Sequence, residues 1–85
     1  MKIILDKQAK SDLDYFAKHN KKILEKIFLI FEDMVKNPTT GIGKPEKLRY
    51  ELAGCWSRRI NAEHRVVYTV AKNEVRVLSC RYHYK

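Results

Sequence analysis

The stretch RVVYTVAKNEVRVLSC, residues 65–80, decides the fold, because it contains two strand-like runs on either side of a turn. β-Branched and aromatic side chains are frequent in Arg65–Ala71 and again in Glu74–Tyr82, and such residues favour strands. The polar pair Lys72-Asn73 between the runs suits a two-residue connection. We therefore predict an antiparallel hairpin near the end of the chain.

Further strands are predicted towards the N-terminus. Trp56–Ile60 is a third candidate strand, and Tyr50–Leu52 is a shorter candidate. Residues 38–47, PTTGIGKPEK, contain both prolines and two of the three glycines of the chain, so we expect a long loop there. At the start of the chain, the run Lys2–Leu5 indicates one more short strand.

Two helices are predicted between the first strand and the loop. Asp6 suits the N-cap of the first helix, since its carboxylate can accept hydrogen bonds from free backbone N–H groups. This helix is expected to end near His19-Asn20, and the second to span Lys21–Val35 before Asn37-Pro38 stops it. The second helix has apolar residues at spacings of three and four: Ile23, Leu24, Ile27, Ile30, Phe31 and Met34.

These elements give the order β-α-α-β-β-β and an α+β fold, in which an antiparallel sheet packs on an N-terminal helical hairpin. A length of 85 residues suits a single domain, residues 1–85. No apolar run approaches the ~20 residues of a membrane span, and the start of the chain lacks a secretory signal. We expect a cytoplasmic protein that does not bind membranes.

The two cysteines, Cys55 and Cys80, are 25 positions apart, and no Cys/His cluster has the spacing of metal ligands. We expect reduced cysteines, no metal and no cofactor. The net charge of +8 is uneven, with +2 in residues 1–40 and +6 in residues 41–85. This asymmetry favours a polyanionic partner or an acidic protein that competes for the same surface, although a merely soluble basic surface has the same composition.

Basic and aromatic side chains alternate in the second half of the chain, a combination that suits single-stranded RNA. In this region His83 is a candidate general acid, because imidazole titrates near neutral pH. Glu46, in a basic loop, is a candidate base towards a ribose 2′-hydroxyl. The alternative for each is an ordinary exposed side chain. Strand alternation puts Trp56, Arg58 and Ile60 on one face, with Ser57 and Arg59 on the other.

Four segments resemble the YoeB toxins of the RelE superfamily: GKPEKL (43–48), GCWSRRI (54–60), EHRVVY (63–68) and CRYHY (80–84). The resemblance implies a RelE-type fold and ribosome-dependent, metal-independent cleavage of translated mRNA in the A site of the 70S ribosome. It also implies neutralisation by a YefM-like antitoxin with an acidic flexible tail. Operator DNA would be bound only through the toxin–antitoxin complex, in which the toxin is a co-repressor, and a homodimer is possible.

The resemblance also implies roles for individual residues. Four match the family's catalytic positions: Glu46, Arg65, His83 and Tyr84. RNA-contacting basic residues are implied at Lys44, Arg49, Arg58 and Arg59, and the basic-aromatic pattern adds Lys47 and Arg81. Two other functions stay open, a non-catalytic RNA- or ribosome-binding module of the same fold and a DNA-binding repressor subunit.

Overall fold

Two helices and five strands form the part of the chain that the structure, a computed structural model, describes, which is residues 1–82. Their order confirms the predicted α+β fold. The elements are β1 (Lys2–Leu5), α1 (Lys7–His19), α2 (Lys21–Lys36), β2 (Glu46–Lys47), β3 (Trp56–Arg59), β4 (Arg65–Val70) and β5 (Glu74–Ser79). The hairpin between β4 and β5 is present, and its turn is closed by the Ala71 N–H, which donates to the Glu74 carbonyl at 2.9 Å.

The five strands lie in the order β1-β5-β4-β3-β2. Strands β2 to β5 are antiparallel to their neighbours, but β1 is parallel to β5, with Ile3 opposite Val75 and Leu5 opposite Val77. The sheet is therefore mixed and not wholly antiparallel, which corrects that part of the prediction. The helices explain this, because α1 and α2 together return the chain to the end of the sheet where β1 finished. Three antiparallel steps from β2 then leave β5 running in the direction of β1.

The prediction of a short strand at Tyr50–Leu52 was wrong, since these residues form a 3-10 turn. The N–H of Leu52 donates to the Arg49 carbonyl and that of Ala53 to the Tyr50 carbonyl, and Tyr50 has a left-handed φ of 58°. The short edge strand is β2 instead, inside the predicted loop, where Glu46 lies opposite Ser57. The loop therefore enters the sheet at Glu46.

The helices are joined by a single residue, Asn20, in agreement with the predicted helix ends near His19-Asn20 and Lys21. Its N–H donates to the Phe16 carbonyl at 2.8 Å, and its side-chain oxygen accepts from the Ile23 N–H at 3.2 Å, so it caps both helices. Asp6 occupies the N-cap position of α1, but its carboxylate makes no capping bond. It accepts from Arg76 on β5 at 2.9 Å instead, which corrects the prediction for this side chain.

One face of the sheet packs on both helices and forms the core. Its fully buried residues include Val66, Tyr68, Val75 and Val77 from the strands, packed against Ala9, Phe16, Ile27, Ile30 and Met34 from the helices. Cys80, just after β5, belongs to this core, and burial raises the pKa of its thiol to about 12. Both cysteines are free thiols. Within residues 1–82, neither helix has the length and apolarity to cross a membrane.

Candidate active site

The sheet face opposite the helices carries two of the predicted catalytic residues. The register aligns Glu46, Ser57 and Val67 across β2, β3 and β4, and it pairs Arg59 with Arg65. Since alternate residues of a strand share a face, Glu46, Arg59 and Arg65 lie on the same side. With neighbouring strands about 4.8 Å apart, the backbone of Glu46 is roughly 10 Å from β4. Strand β3 lies between β2 and β4, so the side chains of Glu46 and Arg65 flank the surface of β3 on this face.

Arg65 is oriented by the turn that precedes β4. Its Nη1 donates to the carbonyls of Asn61, at 2.7 Å, and His64, at 3.1 Å. The turn is itself fixed, because the Asn61 side-chain oxygen accepts from the backbone N–H groups of Glu63 and His64 at 2.9 and 2.7 Å. These bonds anchor one end of the guanidinium, as an electrostatic role in a reaction would require.

Arg58 is buried on the helix-covered face of β3, so the structure does not place it among the exposed basic residues, where an RNA contact was predicted. The residue is 0% exposed, and all five of its N–H donors have acceptors. Nε donates to the Tyr68 hydroxyl at 3.0 Å, and Nη1 donates to the Asp33 carboxylate at 2.6 Å. The remaining acceptors are the carbonyls of Ile42 (3.2 Å), Thr40 (2.9 Å) and Asn37. The guanidinium thus has no donor left for a phosphate.

The bonds of Arg58 fix the loop between α2 and β2 against the sheet. Asp33 on α2 accepts from Arg58 and from the Ile42 N–H at 3.0 Å, and these bonds hold the pKa of its carboxyl below the usual range. The Tyr68 hydroxyl donates to the Pro38 carbonyl at 2.8 Å, while burial raises the pKa of that phenol. Asp33 and Tyr68 are therefore site-supporting residues that the sequence analysis did not identify.

Gly43 brings the same loop into direct contact with β3. Its carbonyl accepts from the Arg59 N–H at 2.6 Å, and a Cβ at this position would lie 3.0 Å from the Arg59 carbonyl oxygen. Its φ of 79° is in the left-handed region, which glycine adopts without strain. Glu46 follows three residues later, so the contact fixes the approach of the chain to the candidate base.

The other predicted RNA contacts occupy different places. Lys44 and Arg49 are exposed near Glu46, whereas Lys47 is exposed but alternation along β2 turns it towards the opposite face. Arg81 is not brought to the Glu46 face. Its guanidinium lies 3.4 Å from the centre of the Tyr15 ring on α1 and 4.5 Å from that of the Tyr82 ring.

His83 and Tyr84 lie outside the described residues. The last described residue, Tyr82, lies beside Arg65, because its carbonyl accepts from the Arg65 N–H at 3.1 Å. The N–H of Tyr82 donates to Nδ1 of His64 at 2.8 Å. His64 was given no role in the sequence analysis, and only its position after the Asn61 turn and before Arg65 could have drawn attention to it.

Comparison with known proteins identifies relatives of the whole chain. The YoeB toxin of Synechocystis sp. is 45% identical over 85 residues, which is 100% of this chain and 99% of the relative. A YoeB/ParE toxin from Agrobacterium tumefaciens superposes with a TM-score of 0.95 at 37% identity and covers 99% of this chain and 100% of its own.

Two structures from Staphylococcus aureus are also similar. One is the heterotetrameric YoeB–YefM toxin–antitoxin complex, whose matching chain has a TM-score of 0.88 and 47% identity over 96% of this chain and 95% of its own. The other is a YoeB dimer, with a TM-score of 0.91 and 46% identity over 99% and 98%. The family model described as "YoeB-like toxin of bacterial type II toxin-antitoxin system" matches residues 5–84. The chain therefore belongs to the YoeB-like toxins of bacterial type II toxin–antitoxin systems.

Proposed function

We propose that this toxin is a ribosome-dependent, metal-independent endoribonuclease that cleaves translated mRNA in the ribosomal A site. The observation that carries the proposal is the placement of Glu46 and Arg65 on one helix-free face of the sheet. On one surface, a carboxylate can remove a proton from the nucleophile and a guanidinium can stabilise the negative charge that develops on the phosphate.

The reaction uses the 2′-hydroxyl of the RNA as its nucleophile, so the protein supplies acid–base groups and positive charge. Glu46 takes the proton from that hydroxyl as its oxygen attacks the adjacent phosphorus. Arg65 stabilises the added negative charge on the phosphate oxygens. His83 protonates the departing 5′-oxygen, and Tyr84 orients the phosphate or stacks on a base. The products are a 2′,3′-cyclic phosphate, or its opened 3′-phosphate, and a 5′-hydroxyl.

Exposed basic residues around this face hold the RNA backbone. Arg59 is paired with Arg65 across the strands, and Lys44 and Arg49 flank Glu46 in the chain. Lys47 and Arg81 contact RNA only outside the Glu46 face, because their side chains are directed away from that face. Arginine suits these positions because its planar fork of donors matches phosphate geometry.

The partners proposed are a YefM-like antitoxin with an acidic flexible tail, mRNA and the 70S ribosome. The toxin itself is proposed to be a single domain located in the cytoplasm. The Staphylococcus aureus relative forms a complex with YefM and also a dimer, which supports an antitoxin and a homodimer here. Operator DNA is bound only through the toxin–antitoxin complex, where the toxin is a co-repressor.

Ribosome dependence is tested by comparing one message in two states. Purified toxin should cut a message on programmed 70S ribosomes within the A-site codon and leave the same naked RNA intact at equal concentration. The expected cut leaves a 5′-hydroxyl, which 5′-end mapping with and without kinase treatment detects. Equal cleavage of the naked message would refute the ribosome requirement. Ribosome binding with no cleavage would instead indicate a non-catalytic module.

Binding of the antitoxin should depend on salt, because +6 of the net charge of +8 lies in residues 41–85. Oppositely charged surfaces accelerate association, and salt screens the attraction. We expect the association rate with a YefM-like antitoxin to fall roughly tenfold between 0.05 and 0.5 M NaCl, while the dissociation rate changes less. Surface plasmon resonance measures both rates. An association rate independent of salt would contradict an electrostatic role for the acidic tail.

A further inference from the structure

The backbone of Tyr82 is held on both sides by two consecutive residues of the chain. Its N–H donates to Nδ1 of His64 at 2.8 Å, and its carbonyl accepts from the N–H of Arg65 at 3.1 Å. Tyr82 immediately precedes His83, the proposed general acid. His64 and Arg65 therefore fix Tyr82, the last described residue before the proposed acid. One of the two, Arg65, is also the residue proposed to stabilise the transition state.

His64 is itself rigidly placed. It is only 6% exposed, its ring packs edge-on against Phe16 with centres 5.1 Å apart, and its carbonyl accepts from the Ile60 N–H at 3.0 Å. An Nδ1 that accepts a hydrogen bond carries no proton, so the neutral ring is protonated at Nε2, which lies 3.5 Å from the Glu63 carboxylate. The ring presents an acceptor at a fixed position.

Tyr82 needs such an anchor, because its φ of 66° lies in the left-handed region that non-glycine residues rarely occupy. A backbone of this kind persists only where its surroundings hold it. Cys80, two residues earlier, is held independently, since its N–H donates to the Asp12 carboxylate at 2.8 Å. Loss of the His64 acceptor would therefore free the N–H of Tyr82 and leave the residue held only by its carbonyl bond to Arg65, while Cys80 stays in place.

We propose that His64 is a positioning residue, which fixes the backbone of Tyr82 beside Arg65 through Nδ1 and on which the rate of cleavage therefore depends. This inference rests on the proposed nuclease function. His64 itself does not touch the reacting atoms. Its contribution is geometric, and small displacements of a catalytic group are costly to rate while binding of the message is unaffected.

The test compares His64→Phe with His64→Asn. Phenylalanine keeps a ring against Phe16 but has no acceptor, whereas the Oδ1 of asparagine occupies nearly the position of Nδ1. We expect His64→Phe to slow single-turnover cleavage of ribosome-bound message by roughly 100-fold with ribosome affinity unchanged. His64→Asn should recover at least about tenfold of that loss. An unaffected Phe variant, or equal losses in the two variants, would overturn the proposal.

A second measurement needs no activity. In the free toxin, the amide of Tyr82 should exchange its hydrogen faster in His64→Phe than in the unmodified protein, and His64→Asn should restore its protection. The amide of Cys80 is the internal control and should stay protected in all three proteins, which also verifies folding. If the unmodified toxin fails to cleave, the proposed function is wrong, and equal exchange at Tyr82 in all three would refute the anchor separately.

Discussion

Replacing Glu46 by glutamine should reduce single-turnover cleavage of ribosome-bound message by roughly 10²–10⁴-fold, the usual contribution of a general base. Glutamine keeps the size and polarity of the side chain but cannot accept the 2′-hydroxyl proton. The side chain is exposed on β2 and glutamine matches its size, so the fold should not change. Ribosome affinity should also be kept, because the proposed role of Glu46 is proton transfer. His83→Gln should show a loss of similar size on the same grounds.

The two losses should not multiply, because both groups act on one transition state. The double Glu46→Gln/His83→Gln variant is therefore expected to retain more activity than the product of the single effects. Lys18→Gln and Lys72→Gln, at exposed positions outside the site, are the controls and should cleave normally. Cleavage by Glu46→Gln at the unmodified rate would refute the base assignment. A parallel loss of ribosome binding would make Glu46 a contact residue.

Arg65 should respond differently, because its proposed role depends on charge and shape. Arg65→Lys keeps the positive charge but loses the planar fork and the bonds to the Asn61 and His64 carbonyls. Cleavage by Arg65→Lys should therefore be slower than cleavage by the unmodified toxin, and cleavage by Arg65→Ala should be slower still. Single-turnover cleavage of ribosome-bound message measures both variants. Full activity of Arg65→Lys would contradict the need for the planar fork, and equal losses in the two variants would contradict a role for the charge.

Local patterns in the sequence predicted the helices, the three longer strands of the second half and the two sets of alternating side chains. Trp56 and Arg58 do share one face of β3, and Ser57 and Arg59 share the other. Alternation alone does not say which face the helices cover. It could not show that Arg58 meets Asp33, 25 residues earlier in the chain, instead of solvent.

Features made by distant contacts were the ones that the sequence did not predict. Strand β2 has only two residues and is defined by its pairing with Trp56 and Ser57, so no periodicity reveals it. β5 stops at Ser79, short of the predicted Tyr82, because the next N–H bonds to Asp12 on α1. His64 looks like an ordinary turn residue until its bond to Tyr82, 18 residues away, is known.

Arg58→Gln should destabilise the fold by about 3 kcal/mol, because the buried guanidinium makes five hydrogen bonds that glutamine cannot replace, although its ion-pair partner Asp33 is partly exposed. The change would leave the Asp33 carboxylate, the Tyr68 hydroxyl and three loop carbonyls without the donors that now satisfy them. For a domain of this size each 1 kcal/mol lost lowers the melting temperature by roughly 4–8 °C, so a fall of at least about 12 °C is expected. Calorimetry or urea unfolding measures it.

Arg59→Gln is the matched control, since Arg59 is the next residue of the same strand and is exposed. The free energy of unfolding of the Arg59→Gln variant should stay within about 0.5 kcal/mol of that of the unmodified toxin. The affinity of this variant for RNA should fall, because a phosphate contact is lost. The neighbouring arginines thus have opposite expected effects, one on stability and one on binding. If Arg58→Gln were as stable as Arg59→Gln, the buried network would not hold the loop that carries Glu46. If it weakened RNA binding in a fully stable protein, Arg58 would regain the RNA-contacting role predicted from the sequence.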